Sequence, residues 1–298
     1  MYTEITSNKR RTALLMFIFV AVILGLGWLI GEFTGYGYSG LVWAAVISIG
    51  MALFSYYKGD KVALMVSGAR GPIKKDDSPS LWRIVENLSI TNGQPMPKLY
   101  LINDPAINAF ATGRDPRHAS VAVTQGAVDK LENEELEGVL AHELSHVKNY
   151  DIRLMTVVVI LVGMIALISN WALRFHLFGG RRGNDRDRGG LHPALFIAGF
   201  VLILLAPLIA ELIKLAVSRR REYLADASGA LLTRFPEGLA RALEKIAAEN
   251  RPLAKATEAT AHLYIANPFG GTRQWLTKYF STHPPVQDRI KKLREMGK

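Results

Sequence analysis

The chain is 298 residues long; 49% of its residues are hydrophobic, 21% are charged, and the formal net charge is +10. Its mean hydropathy is positive, at +0.14, despite a charge content typical of soluble proteins. A mostly disordered chain is excluded, because disorder requires low hydrophobicity. The sequence contains no cysteine, which excludes a disulfide framework and a thiolate metal site. The positive hydropathy and the ordinary charge content together indicate that charged and apolar residues are segregated along the chain.

Four segments contain no Asp, Glu, Lys or Arg: residues 13–31, 38–57, 154–173 and 193–210. Each is close to the ~20 residues that a helix needs to cross the hydrocarbon layer of a membrane. An ordinary soluble protein is excluded, and we predict an integral membrane protein with about four apolar helices. In such a protein the basic excess is explained by cytoplasmic flanks that contact anionic lipid, so no nucleic-acid partner is expected.

Residues 1–57 are predicted to form an N-terminal transmembrane hairpin whose two ends lie in the cytoplasm. Basic residues precede its first apolar segment and follow its second, whereas the connection at 32–37 contains none. Flanks rich in Lys and Arg stay on the cytoplasmic side of a membrane. The first segment is longer than the apolar part of a signal peptide and a second span follows closely, so we interpret it as a retained anchor.

The polar region at 58–153 is predicted to be the first half of a cytoplasmic domain. A serine–proline pair at 78–79 is typical of a helix start. Residues 99–102 form an apolar run after a turn, and residues 119–123 alternate like a half-buried strand. The pattern becomes helical at 133–149. We therefore expect an α+β fold that is mainly helical and contains a small sheet.

Residues 154–210 are predicted to hold a second hydrophobic pair around an Arg- and Gly-rich loop at 174–192. Five arginines in that loop oppose the positive-inside tendency if the loop lies outside the cell. Two paths stay open: the pair crosses the membrane twice, or it forms a re-entrant hairpin. Residues 211–298 are then the second half of the domain, which ends in a charged amphipathic helix at 284–296.

The decisive motif is AHELSH at 141–146, which fits the H-E-x-x-H pattern of zinc proteases. His142 and His146 are four residues apart and face the same side of a helix, so both can present a ring nitrogen to one metal ion. Glu143 can then reach a water molecule on that metal. The alternative is a solvated helix face that carries two histidines by chance. Apolar residues around the rest of this helix favour the metal site, because they allow the helix to be buried.

A catalytic zinc ion keeps three protein ligands and one open position, so a third donor is required. Glu222 and Asp226 share a helix face, which allows Glu222 to bind the metal while Asp226 accepts a ring N–H from a ligating histidine. The alternative is a charged cytoplasmic flank, since three arginines precede Glu222. The H-E-x-x-H motif and the lack of cysteine favour Glu222 as the ligand.

Three motifs in this order resemble those of the HtpX-type membrane metalloproteases, heat-shock-associated enzymes related to the CAAX prenyl proteases. The motifs are AHELSH at 141–146 with Asn149 and Asp151, REYLAD at 221–226, and THPP at 282–285 with Arg289. The likeness covers nearly the whole chain. It implies a zincin-like (gluzincin) domain that holds one Zn²⁺ per chain through His142, His146 and Glu222. Glu143 would be the base and proton shuttle, with Asp226 supporting a ligand.

The resemblance also implies residues that contact substrate. Asn108, Ala109 and Phe110 resemble the family's edge strand, to which a substrate peptide adds as a further strand. His283 and Arg289 would lie at the active-site cleft, and His283 could donate to the developing oxyanion. Two other roles stay open from the residues alone: His283 as a helix-start residue, and Asn108 as a turn residue beside a core strand.

The metal is expected to lie close to the bilayer. His146 is eight residues before the third apolar segment and Glu222 is twelve residues after the fourth. On continuous helices these separations correspond to roughly 12–18 Å. Both motifs must also share one compartment, which agrees with a cytoplasmic site.

The same family resemblance also predicts what the protein does. It implies a multi-pass zinc endopeptidase of the cytoplasmic (inner) membrane, with its active site facing the cytoplasm, that hydrolyses damaged or misfolded membrane proteins under stress. Its partners would be membrane-protein or unfolded polypeptide substrates and the lipid bilayer. The sequence does not predict an oligomeric state. Two alternatives stay open: a processing protease for a specific membrane or lipidated substrate, and a non-catalytic membrane scaffold that contains zinc.

Overall fold

The computed structural model describes residues 2–178, 218–257, 259–270 and 284–297. The chain begins with two long helices, α1 (Tyr2–Thr34) and α2 (Tyr38–Val66), joined by a short turn. Both contain a span that is long and apolar enough to cross a membrane. They include the first two charge-free segments of the sequence.

Glycines allow α1 and α2 to pack closely. A Cβ atom on Gly27 would lie 2.2 Å from the Cβ of Ala44, and one on Gly40 would lie 2.5 Å from the carbonyl oxygen of Gly27. Neither position has room for a larger side chain, since real Cβ contacts are longer than 3.0 Å. The close approach depends on small residues, as is usual between membrane helices.

Four strands form a small mixed sheet in the order β1-β2-β4-β3. The strands are β1 (Ala69–Arg70), β2 (Lys98–Ile102), β3 (Ala109–Gly113) and β4 (Ala119–Thr124). β2 and β4 are parallel, whereas β1 pairs with β2 and β3 pairs with β4 in antiparallel fashion. The predicted small sheet is confirmed, and β3 forms one of its edges.

Helices supply most of the remaining described structure. They are α3 (Pro79–Asn92), α4 (Gln125–Lys130), α5 (Asn133–Lys148), α6 (Asp151–Phe178), α7 (Arg219–Thr233), α8 (Pro236–Glu249) and α9 (Val286–Met296). Local sequence explains several ends: Pro79 and Pro236 occupy first turns, and Gly93 ends α3 in the left-handed conformation. A reciprocal capping box between Glu132 and Glu135 starts α5.

Among the described residues, α1 and α2 are the candidate membrane spans, so the two further predicted spans stay predictions. The third charge-free segment lies within α6, and the side chains of Leu154, Val158 and Leu161 there are 0% exposed. The first turns of α6 therefore pack against protein. The fourth segment, at 193–210, and most of the Arg- and Gly-rich loop lie outside the described residues.

The helix α5 lies at the centre of the main core. Its apolar residues, including Leu140 and Leu144, are buried with residues of the sheet, α3 and α8. A second cluster joins the C-terminal end of α2 to the sheet and to α6, through residues such as Leu64, Phe110 and Met155. The membrane hairpin is consequently packed against the same domain that contains the histidine motif.

Candidate metal centre and active site

Three potential metal ligands converge between α5 and α7. The Nε2 atoms of His142 and His146 lie 3.2 Å apart. The carboxylate of Glu222 reaches from α7, with Oε1 3.4 Å from Nε2 of His146 and Oε2 3.8 Å from Nε2 of His142. All three side chains are buried. The ligand set proposed from sequence spacing is therefore brought together in space.

The approach of α7 to α5 depends on small residues at the face that carries Glu222. Ala225 and Gly229 follow it along the helix; Ala225 is fully buried, and Gly229 lies against α5. A Cβ atom on Gly229 would lie 3.0 Å from the backbone nitrogen of His142. A larger residue at this position would push α7, and with it the Glu222 carboxylate, away from the histidines.

A carboxylate on α7 faces the second ring nitrogen of His142. Nδ1 of His142 lies 2.9 Å from Oδ1 of Asp226. Asp226 in turn accepts two hydrogen bonds from Arg289, from Nε at 2.9 Å and from Nη2 at 2.7 Å. Arg289 also donates to the carbonyl oxygen of Ile265 at 2.9 Å. Burial alone would raise the pKa of Asp226, but the adjacent Arg289 guanidinium lowers it to about 2.

His146 has a carboxylate partner of its own. Its Nδ1 lies 3.0 Å from Oδ2 of Asp151, the first residue of α6. Burial opposes a charge on this ring, yet the carboxylates of Asp151 and Glu222 raise the pKa of His146 well above its usual value. Oδ1 of Asp151 is bound by Asn8 of α1 and by Arg221 of α7. Asn8 was not predicted to lie near the site, whereas Arg221 belongs to the REYLAD motif but had no predicted role.

The donor set fits a zinc ion. Ligands of a tetrahedral zinc with bonds of 2.0–2.1 Å are about 3.3 Å apart, close to the contacts of 3.2 and 3.4 Å around Nε2 of His146. Because each Nδ1 faces a carboxylate, each Nε2 is the nitrogen that can bind a metal ion once it has lost its proton. Two such nitrogens can share one cation. Two imidazoles and one carboxylate are also a ligand set known for catalytic zinc.

Glu143 follows the first histidine on α5 and is 2% exposed. Burial, with the nearby Glu222 carboxylate, raises the pKa of Glu143 to about 8. Its carboxylate also accepts a hydrogen bond from the backbone N–H of Ala111 in β3. A carboxylate whose pKa is raised toward neutrality is suited to exchange protons during a reaction.

Comparison with known proteins identifies the family to which this site belongs. Residues 75–297 match the model of peptidase family M48. The chain belongs to peptidase family M48. As an M48 member it is a protease, and the family implies a metal, for which the His142, His146 and Glu222 group is suited.

Full-length relatives of this M48 chain are described as protease HtpX homologs, which confirms the predicted resemblance. The homolog from Tropheryma whipplei (strain Twist) is 48% identical over 100% of this chain and 99% of its own length. The homolog from Lactobacillus helveticus is 44% identical over 99% of this chain and 100% of its own. The fold is similar to the crystal structure of S. mikatae Ste24p, with a TM-score of 0.52 and 18% identity over 98% of this chain and 67% of that chain.

The edge strand of this M48 peptidase lies against the metal centre, but its own chain covers it at one point. The backbone N–H of Ile265 donates to the carbonyl oxygen of Ala109 at 3.1 Å. The Asn108 side chain donates to the carbonyl of Ala266 at 3.3 Å and accepts from the N–H of Ala109 at 3.1 Å. Phe110 is buried and meets the ring of Tyr264 edge to face.

The remaining predicted residues differ in their placement. Arg289 is 0% exposed and lies behind Asp226 rather than on an open cleft surface. The sequence motif predicted that Arg289 lies at the site. Its contact with Asp226 could not be predicted, because that contact depends on how α9 packs against α7. His283 lies outside the described residues. The hydrogen bond from Ala111 to Glu143 was not predicted, because no sequence pattern reports which backbone group of a strand meets a given side chain.

Proposed function

We propose that this M48 peptidase is a zinc-dependent endopeptidase of the gluzincin type. The observation that carries the proposal is the convergence of His142, His146 and Glu222 on one point, with Glu143 beside them on the same helix. One Zn²⁺ per chain would be held by the two Nε2 atoms and the Glu222 carboxylate. When bound there, zinc would lower the pKa of a water molecule and polarise the scissile carbonyl.

The protein's own groups would carry the proton transfers. Glu143 accepts a proton from the attacking water and then delivers it to the nitrogen of the leaving amine. Asp226 and Asp151 face the Nδ1 atoms of the two histidines, which keeps both Nε2 atoms directed at the metal position. No covalent enzyme intermediate is needed for this hydrolysis.

The edge strand β3 is proposed to bind an extended substrate peptide by strand addition. Its residue Ala111 already contacts Glu143, so a peptide along this edge would lie beside the base. The carbonyl oxygen of Ala109 is bound by Ile265, and that contact must open before a peptide can pair there. Main-chain pairing does not select particular side chains, which fits broad selectivity for unfolded polypeptides. His283 is proposed to donate to the developing oxyanion.

The proposed location is the cytoplasmic membrane, with the active site facing the cytoplasm. Large apolar side chains on the hairpin are exposed, as for Phe17 at 70% and Trp43 at 67%, which suits contact with lipid. Arg153 lies over the rings of Tyr56 and Tyr150, at 5.5 and 5.0 Å from their centroids. Basic and aromatic residues that lie together near the end of an apolar helix are typical of a membrane–water interface.

In chain order we propose a transmembrane hairpin at 1–57 and a protease domain formed from 58–153 and 211–298. The second apolar pair at 154–210 would interrupt that domain. A site so close to the membrane suits substrates that are damaged or misfolded membrane proteins, and we propose quality control under stress as the physiological role.

Hydrolysis of an unfolded casein-like substrate by the purified chain in detergent tests the proposal. Wild-type protein should cleave it with zinc and stop with a chelator, whereas Glu143→Gln should bind zinc and not cleave. Glu137→Gln is the matched control, since Glu137 lies on the same helix and is only partly buried. Undiminished cleavage by Glu143→Gln would refute the assignment.

A further inference from the structure

Asn8 is a buried polar residue near the start of the first membrane helix. It precedes the apolar segment of α1 and is followed by exposed basic residues at positions 9–11, yet Asn8 itself is 1% exposed. At the end of a membrane helix a polar side chain can face water or lipid headgroups without cost. Burying an amide is unfavourable unless protein groups satisfy it, so the contacts of Asn8 explain why it points inward.

The Asn8 amide is satisfied by residues far away in the sequence. Its Nδ2 donates to Oδ1 of Asp151 at 2.7 Å and to the carbonyl oxygen of Asn149 at 2.9 Å. Its Oδ1 accepts from Nη1 of Arg221 at 3.1 Å. The orientation of the amide is fixed by these partners, because the opposite orientation would set its oxygen against two acceptors and its NH₂ against a guanidinium.

Asp151 connects this amide to a ligand of the proposed metal site. One carboxylate oxygen accepts from Asn8 and Arg221, and the other faces Nδ1 of His146 at 3.0 Å. The bonds from Asn8 and Arg221 therefore determine how the Asp151 carboxylate is turned toward the ring. The ring in turn directs Nε2 of His146 at the metal position.

The two histidines are supported from different parts of the protein. Behind His142 are Asp226 and Arg289, on helices of the protease domain. Behind His146 are Asp151 and, at the next step, Asn8 on the membrane hairpin together with Arg221. One of the two supports therefore depends on how α1 is seated against the domain.

We propose that Asn8 is a positioning residue for the ligand His146, acting through Asp151, so that α1 is part of the metal centre as well as a membrane anchor. The inference rests on the proposed metal site. It predicts that the seating of α1 alters metal affinity, and that a chain without its first helix binds zinc weakly even if the remaining domain is folded.

Zinc affinity of the full-length chain in detergent, measured by competition with a chromophoric chelator, tests the inference. Asn8→Leu keeps the number and branching of the side-chain heavy atoms and removes the hydrogen bonds. Loss of a group that orients a metal ligand lowers affinity by about 10–100-fold, and we expect the lower end, about tenfold. The visible absorption spectrum of the Co²⁺-substituted protein should also change, because the geometry at His146 changes.

Phe19→Ala is the matched control. Phe19 is on α1, is 2% exposed and packs against apolar residues of α6, away from the polar network. It should lower the melting temperature of the zinc-free chain while leaving zinc affinity within about twofold of wild type. If Asn8→Leu behaves like Phe19→Ala in both measurements, Asn8 only attaches α1 and the inference is wrong.

A double variant distinguishes an effect through Asp151 from a general one. In an Asp151→Ala background, Asn8→Leu should lower zinc affinity no further, whereas independent effects would multiply. If Asn8→Leu does not fold, Asn8→Ser replaces it in the same measurements. If the wild-type chain fails to bind zinc, the proposed metal site itself is refuted. If wild type and Asn8→Leu bind zinc with equal affinity, the metal site stands and the role of Asn8 is refuted.

Discussion

Arg289→Met should weaken both the fold and the metal site. Arg289 is fully buried and places two donors on Asp226 and one on the carbonyl of Ile265. The methionine fills a similar volume but leaves the Asp226 carboxylate buried without its cation. Breaking one side of a buried ion pair costs about 3–5 kcal/mol.

For a domain of this size that loss corresponds to a fall of about 10 °C in melting temperature. Zinc affinity should also fall by about 10–100-fold, because Asp226 faces the ligand His142. Without Arg289, burial would dominate and raise the pKa of Asp226 from about 2. The protonated acid would then orient the ring poorly.

Thermal unfolding of the zinc-free chain and chelator competition measure the two effects. Arg294→Met is the control on the same helix, since Arg294 pairs with Glu237 and Glu244 at the exposed surface. Exposed pairs contribute little, so this variant should resemble wild type. The reasoning is refuted if Arg289→Met has the same zinc affinity and melting temperature as wild type. It is also refuted if Arg294→Met loses as much zinc affinity and thermal stability as Arg289→Met.

Three further results are expected. Gly229→Ala should lower zinc affinity in the competition assay, because the added Cβ atom would lie 3.0 Å from the backbone nitrogen of His142. Gly25→Ala is the control and should leave zinc affinity unchanged, because no atom lies within 4 Å of its added Cβ. The melting temperature should rise with zinc concentration in wild type, by mass action, but not in Glu222→Gln; an equal rise in both would exclude Glu222 as a ligand. The chain has no cysteine, so Tyr36→Cys and Asp76→Cys can be labelled with a membrane-impermeant thiol reagent in oriented vesicles. The first should react from outside and the second from the cytoplasmic side; the reverse would invert the proposed topology.

Much of the molecule could be predicted because its signals are local. A charge-free run long enough to span a bilayer predicted the segments in α1 and α2. Spacings of four residues placed His142 with His146 and Glu222 with Asp226, because a helix turns once in 3.6 residues. The serine–proline pair at 78–79 located the start of α3.

The contacts between distant segments could not be predicted in the same way. Asn8 lies beside basic residues in the sequence, and its burial follows only from the seating of α1 against Asp151 and Arg221. The contact between Ile265 and the edge strand likewise joins residues that are far apart in the chain. Composition also predicted a third membrane helix within α6; burial of its first turns against protein depends on packing between distant segments, and the span itself stays a prediction.

The zinc K-edge X-ray absorption spectrum of the purified full-length chain tests the proposed metal centre most directly. We expect one zinc per chain with two imidazole nitrogens and oxygen donors at about 2.0–2.2 Å. Glu222→Gln should alter the oxygen shell or lose the metal, and Glu143→Gln should retain the metal and both imidazoles. Zinc bound by a different number of imidazoles, or an unchanged spectrum in Glu222→Gln, would contradict a centre formed by His142, His146 and Glu222.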